Sequence, residues 1–390
     1  MNLSNLASRL DNIAPFHVME LAKMAAALEH QGRHIIHMGI GEPDFTAPPL
    51  VVEAATAAMQ AGKMKYTSAT GLPALRAAIS THYQQVYGLD IAPSRIVVTA
   101  GASAALLLAC AALVEKGTEV LMPDPSYPCN RHFVAAFDGS AKMIASGPAE
   151  RFQLSDAAVR EHWGDATRGV LLASPSNPTG TSILATELEK IVATVRAHNG
   201  FTIVDEIYQG LSYDAAPFSA LSLGDDVIVI NSFSKYFNMT GWRLGWLVVP
   251  ESMVPQIEKL AQNLFICPSS IAQYAGVACF LPESLSLYEE RKAEFRRRRD
   301  YIVPALQELG FKVPVTPDGA FYVYADCSAL SDDADRLTID LLNEAGVVLV
   351  PGLDFGPYTA HNYIRLSYAT SIENLQEAVA RMRRFFAARN

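Results

Sequence analysis

Between residues 95 and 250 the chain alternates short apolar runs with stretches whose apolar residues recur every three or four positions. The runs are RIVVTAG, EVLMPDP, AKMIAS, GVLLASP, FTIVDE, VIVINSF and LGWLVV. Several are unbroken rather than alternating, as expected of strands covered on both faces. Between two of them Leu188, Ile191, Val192 and Val195 keep helical spacing. Thr186, with Glu189 three residues on, predicts a capping box at the start of that helix, and Gly200 predicts its stop. Strand and helix in alternation predict an α/β fold: a mainly parallel sheet with helices on both faces.

After about residue 285 the pattern changes. A long charged helix over 288–309, strands around FYVYAD and VVLV, and a terminal helix over 373–388 predict a smaller α+β domain. The helical segment before His30 is too short to stand alone and is expected to join it. The expected division is a large α/β domain over 46–285 and a small domain made of 1–45 and 286–390. The four arginines at 296–299 follow Glu289, Glu290 and Glu294, which predicts a solvated helix face rather than a phosphate patch.

Composition narrows the class. Half of the 390 residues are hydrophobic and 18% charged, with 24 Gly and 22 Pro, which excludes a disordered or low-complexity chain. The net charge of −9 has the wrong sign for a nucleic-acid surface, so no nucleic-acid partner is expected. The longest nearly apolar stretch, over 102–114, is shorter than a membrane span, and the first 16 residues lack the apolar core of a signal peptide. A cytoplasmic protein without a membrane partner is expected. The five cysteines include no C-x-x-C pair, which argues against a disulfide framework and a zinc site, and His30, His34 and His37 read as ordinary histidines rather than a metal site.

Ligands of parallel sheets bind at the carboxyl ends of strands, and there the polar residues collect. Ala102 and Ser103 open a helix after RIVVTAG; Tyr127 follows EVLMPDP; Asn177 follows GVLLASP; FTIVD ends in Asp205 with Tyr208 one turn on; VIVINSF contains Ser232 near its end and is followed by Ser234 and Lys235. Dinucleotide and P-loop motifs are not met: GIGEPD lacks the third glycine, and no G-x-x-x-x-G-K-[ST] occurs. A helix start can still hold one phosphate through free backbone N–H groups. Lys235, behind a buried-type strand among apolar and hydroxyl neighbours, suits an amine that attacks a carbonyl, and Arg243 offers a fork of donors to a phosphate. Taken singly, Asp205 also reads as a helix N-cap, Asn177 as a turn residue, Tyr127 and Tyr208 as core aromatics, and Arg365 as a surface ion pair.

The string SFSKYFNMTGWRLGW, with SPSNPTG and VDEIY upstream and NYIRLSYA downstream, resembles the fold type I, class I/II aminotransferases of the aspartate aminotransferase superfamily. The motifs run in family order from GIGEPDF at residue 39 to the terminal helix. The resemblance implies pyridoxal 5′-phosphate held through a Schiff base on Lys235, which also moves the proton on the substrate α-carbon. It implies Asp205 at the pyridine nitrogen, Tyr208 and Asn177 at the phenolic oxygen, and Tyr127 on the ring face. It gives the phosphate to Ala102, Ser103, Ser232, Ser234 and Arg243, the substrate carboxylate to Arg365 with Asn177, and a place beside the substrate to Ile40 and Gly41. It implies a homodimer, with Tyr66 reaching the neighbouring subunit's phosphate.

The activity so implied moves an amino group between an L-amino acid and a 2-oxo acid, with glutamate and 2-oxoglutarate as one pair and an aspartate, aromatic or alanine-type donor. A carbon–sulfur β-lyase using the same cofactor and a non-catalytic cofactor-binding sensor are the alternatives. Arg131 and His17 are candidates for a cation that reads a second carboxylate, and Asn130 for a partner of Asp205.

Overall fold

The computed structural model describes residues 6–15 and 17–389. Helix α1 (His17–His30) and strand β1 (Ile36–His37) lead into helices α2 (Pro49–Gln60) and α3 (Pro73–Tyr87). Strand and helix then alternate through β2 (Ile96–Thr99), α4 (Gly101–Leu113), β3 (Glu119–Asp124), α5 (Pro128–Ala135), β4 (Ser140–Ala145), α6 (Asp156–His162), β5 (Thr167–Ala173), α7 (Ala185–Ala197) and β6 (Phe201–Asp205). Strands β7 (Ile228–Ser232) and β8 (Gly245–Val248) are followed by helices α8 (Val254–Leu264), α9 (Ser270–Ala278) and the long α10 (Pro282–Glu308). Strand β9 (Tyr322–Asp326), helix α11 (Ala334–Asp340), strands β10 (Val347–Val348), β11 (Val350–Pro351) and β12 (Tyr363–Ser367), and helix α12 (Ile372–Ala387) complete the chain.

All seven apolar runs enter one sheet, in the order β2-β8-β7-β6-β5-β3-β4. Its pairs are parallel except those of β8 with β2 and with β7. Neighbouring residues of one strand serve opposite cores. Val98, Leu172, Val204 and Val229 face α3, α7 and α9, whereas Val97, Leu171, Ile203 and Ile228 face α4 and α8. This is why the runs read as unbroken, and each large aliphatic side chain so buried contributes about 1.5–3 kcal/mol. Outside the sheet, β11-β12-β9 form a small antiparallel sheet, and β1 pairs in parallel with β10, which ties the N-terminal segment to the C-terminal part. No helix among the described residues is long and apolar enough to cross a membrane.

Two local expectations are corrected. Helix α7 starts at Ala185 behind Leu184, with no side-chain cap, so Thr186 and Glu189 make no capping box; Glu187 instead accepts the N–H of Asp156 at 2.7 Å. At its far end Asn199 takes the left-handed conformation, and Gly200 closes the turn by donating to the Val195 carbonyl. The arginine run is half buried. Arg298 and Arg299 are 4% and 6% exposed, because Asp44 meets Arg298 with two hydrogen bonds (2.7 and 2.9 Å), and Asp214 and Asp300 meet Arg299. Arg296 and Arg297 keep the expected solvated character, each with an exposed ion pair.

Candidate active site

One cavity opens at the carboxyl edge of the sheet, and most of the candidate residues line it. The antiparallel β8 explains its phosphate-like end. Because β8 runs backwards, its first residue, Gly245, lies at the same edge as the last residues of β2 and β7, opposite Thr99 and Ser232. Arg243, two residues earlier, therefore stands over the start of α4. A Cβ on Gly101 would meet the Arg243 guanidinium at 2.5 Å, and Gly101 has φ +81°, so glycine suits this junction on both counts. A Cβ on Gly245 would meet the backbone of Gly101 and Ala102 at 2.7 and 2.8 Å. The first turn of α4, bearing Ala102 and Ser103, can sit here only because both positions lack a side chain. Ser232 donates to Ser234 at 2.9 Å, and Arg243 reaches Ser234 at 3.4 Å. Free N–H groups, hydroxyls and a guanidinium thus converge, the donor set that a phosphate requires.

Deeper in, the Asp205 carboxyl is 5% exposed and accepts the Ile207 N–H at 3.0 Å. Burial pushes its pKa up to about 7, against the weaker opposing effects of that hydrogen bond and of Lys235. Such a carboxyl has no ion-pair partner among the described residues and is suited to a cation on a ligand. The Lys235 amine donates to the Gly41 carbonyl at 2.6 Å. Burial is also the main reason its pKa falls to about 8, so about a tenth is unprotonated at pH 7, far more than for an ordinary lysine.

At the other end Arg365, 2% exposed on β12, donates to Asn177 Oδ1 at 2.8 Å and to the Gly39 carbonyl. Its guanidinium carbon lies 4.6 Å from the centre of the Tyr322 ring and 4.8 Å from that of Phe355. Its Nε is buried without a hydrogen-bond partner among the described residues. A buried cation with an unspent donor is prepared for an anion. Tyr208 shares a 2.8 Å hydrogen bond with Tyr322, and Tyr127 lines the same cavity.

The structure thus brings together Ile40, Gly41, Ala102, Ser103, Tyr127, Asn177, Asp205, Tyr208, Ser232, Ser234, Lys235, Arg243 and Arg365. Tyr66 does not line the cavity; it stands 80% exposed on the surface. Arg131 and His17 are corrected as candidate second cations, since neither lines the cavity. Arg131 donates to the Asp354 carbonyl at 3.1 Å, and the His17 backbone N–H goes to the Asp354 carboxylate. The Asn130 Oδ1 is buried without a partner among the described residues and gives Asp205 no support. Reasoning from the sequence missed Tyr322, Val18 and Met19. Tyr322 lies in a run that read only as a strand, and the other two are apolar residues between His17 and Glu20 of α1, of which only His17 was singled out.

A buried carboxyl, a lysine amine with a lowered pKa and an anion cradle in one cavity fit pyridoxal 5′-phosphate: a pyridine nitrogen for Asp205, a carbonyl for Lys235, a phosphate for the cradle. Comparison with known proteins agrees. Residues 33–382 match the family described as aminotransferase class I and II. The chain is 36% identical to a valine–pyruvate aminotransferase of Mycobacterium tuberculosis, over 95% of this chain and 96% of that protein. It is 34% identical to an aspartate aminotransferase of Geobacillus stearothermophilus, over 98% and 99%. Among solved structures, aspartate aminotransferase from Thermus thermophilus with maleate superposes with TM-score 0.92 at 33% identity, covering 98% of this chain and all of that one.

Proposed function

This chain belongs to the aminotransferase class I and II family and is a transaminase that uses pyridoxal 5′-phosphate; within that chemistry we propose a role for each residue of the cavity. When bound, the cofactor supplies a carbonyl that takes up the amino group and a ring that draws electrons from the reacting bonds. The cradle of Ala102, Ser103, Ser232, Ser234 and Arg243 would anchor its phosphate. Asp205, ionised opposite a cationic ring nitrogen, would keep that nitrogen protonated, and Tyr127 would cover the ring face. Tyr208 and the amide nitrogen of Asn177 would donate to the phenolic oxygen; the Asn177 carbonyl oxygen is already engaged by Arg365.

Arg365 would hold the substrate carboxylate, which fixes the direction of the α-carbon bond to be broken. The Lys235 amine, when the substrate's amine has taken its place, would accept the proton from the substrate α-carbon and deliver it across the nitrogen to the carbon of the cofactor's carbonyl. A pKa near 8 suits an amine that must both accept and give a proton. The observation that carries this reading is that lowered-pKa amine, held 2.6 Å from the Gly41 carbonyl in the cavity that Asp205 and Arg365 also line.

The relatives are named for different substrates, so the amino-acid pair is our own reading: glutamate and 2-oxoglutarate as one pair. Met19 and Ile40, 53% and 42% exposed, border the cavity, so a distal carboxylate that reaches past them stays in water and needs no protein cation. We further propose a homodimer in which Tyr66 of one copy approaches the phosphate of the other. Support comes from the exposed apolar group Met64, Tyr66, Leu264 and Ile266. The pairing of β1 with β10 supports the division into 46–285 and 1–45 with 286–390. Five unpaired cysteines suit a reducing compartment, the cytoplasm. A panel of amino donors against oxo acids, with cofactor-loaded protein, tests the reaction. Transfer of the amino group to 2-oxoglutarate is expected; pyruvate and ammonia formed without an acceptor would instead mark an elimination.

A further inference from the structure

The proposed roles leave the substrate side chain unassigned, and any assignment of it rests on the transamination reading. The cavity is lopsided. Donors crowd its cradle end, whereas at the Arg365 end the Asn177 carbonyl oxygen and the Tyr322 hydroxyl are already paired with protein groups, and Val18, Met19 and Ile40 add apolar wall. Ile40 lies between Gly39, whose carbonyl accepts from Arg365, and Gly41, whose carbonyl accepts from Lys235. Val18 packs in one apolar cluster with Phe355, the ring that backs the Arg365 guanidinium. Met19, beside it on α1, lines the cavity from the same side.

Helix α1 is held there rather than merely leaning. The Asp354 carboxylate accepts the N–H groups of His17 and Val18, at 3.0 and 3.2 Å, in the first turn of the helix. The same residue's carbonyl takes Arg131, and Asp124 and Asp354 are the carboxylates whose charges act on that guanidinium. The arginine of the neighbouring helix thus supports Asp354 through one nitrogen; its Nη1 is buried without a partner among the described residues, but it lies outside the cavity lining, and the cavity's own cations, Lys235, Arg243 and Arg365, each face another task.

We propose that the second substrate pair is an L-amino acid with an uncharged apolar side chain, aliphatic or aromatic, and its 2-oxo acid, selected by Val18, Met19 and Ile40. A carboxylate held against these walls loses hydration and gains no partner, while each methylene seated on them is worth about tenfold or more. Methionine, flexible and polarisable, lets one wall follow branched and flat side chains alike. Glutamate escapes the penalty because its longer side chain reaches the open rim; aspartate, one methylene shorter, does not.

The test uses cofactor-loaded protein and two unreactive acids, 4-methylpentanoate and succinate, titrated by calorimetry. We expect 4-methylpentanoate to bind at least tenfold more tightly, and kcat/KM for L-leucine or L-valine to exceed that for L-aspartate by at least tenfold. Met19→Arg, at a half-exposed position, should narrow both ratios by about tenfold by placing a guanidinium on the wall. Tighter binding of succinate with faster use of aspartate would overturn this inference and leave the transamination reading standing. Failure of every amino acid to be converted would overturn both. If Met19→Arg does not fold, the two ratios of the unsubstituted protein still decide.

Discussion

Replacing Gly245 with alanine should loosen the cofactor's phosphate site without substituting any residue assigned to the phosphate. The added Cβ would lie 2.7 Å from the Gly101 carbonyl carbon, 2.8 Å from the Ala102 nitrogen and 2.9 Å from the Asn231 carbonyl oxygen. All three are backbone atoms that cannot swing aside, and carbon atoms rest at about 3.5–4.0 Å, so either β8 or the first turn of α4 must retreat by nearly 1 Å. Overpacking of this kind costs about 1–3 kcal/mol of stability. The part that retreats carries the N–H groups aimed at the phosphate, and a hydrogen bond to a charged group is worth about 1.5–3 kcal/mol, so cofactor affinity should fall roughly ten- to a hundredfold. The assay removes the cofactor, titrates it back by absorbance, and follows denaturant unfolding of the apo form. Gly241→Ala is the control, since a Cβ there meets nothing within 4 Å, and it should leave affinity unchanged. A Gly245→Ala protein that binds cofactor within twofold of the parent would refute the argument that this close approach builds the cradle.

Tyr322→Phe removes the 2.8 Å hydrogen bond that Tyr208 shares between two buried rings. If Tyr322 supports Tyr208 as a donor to the phenolic oxygen, the pH midpoint of the bound cofactor's absorbance change should move upward; an unmoved midpoint would deny that support. Asp205 makes stability depend on pH. Its folded pKa of about 7 lies above the ordinary 3.8, so the apo protein holds a proton that the unfolded chain releases, and stability falls as pH rises between about 4 and 7. A cation on the bound ring cancels that loss. Added cofactor should therefore raise the unfolding temperature more at pH 8 than at pH 5, and Asp205→Asn should flatten the difference. Sedimentation of the loaded protein should give a dimer, and a monomer retaining full activity would remove the proposed role of Tyr66.

Most of the sheet was readable because its inner strands are buried on both faces and therefore spelled as continuous apolar runs, and β2, β3, β5, β6 and β7 lead into the polar residues that reach the cavity. What could not be read depends on contacts across hundreds of positions. Val18 meets Asp354 at a separation of 336 residues, and in α1 the sequence pointed to His17 rather than to the apolar Val18 and Met19 beside it. Arg298 and Arg299 read as solvated because Glu294 is the local partner, whereas Asp44 and Asp214, which bury them, come from other segments. FYVYAD read only as a strand, which says nothing of the separate roles of Tyr322 and Tyr324. Tyr322 meets Tyr208, and Tyr324 stacks on Tyr363 at 4.7 Å between ring centres. The capping box failed for a smaller reason, since the helix begins one residue before Thr186 and Glu187 is drawn to α6 instead.

The central claim is that one amine carries the cofactor. Borohydride reduction of the loaded protein, followed by digestion and mass analysis of the peptides, tests it most directly. The account predicts a single reduced adduct on Lys235 and none in Lys235→Ala, which should also lose turnover. An adduct on a different lysine, or undiminished transamination by Lys235→Ala, would contradict it.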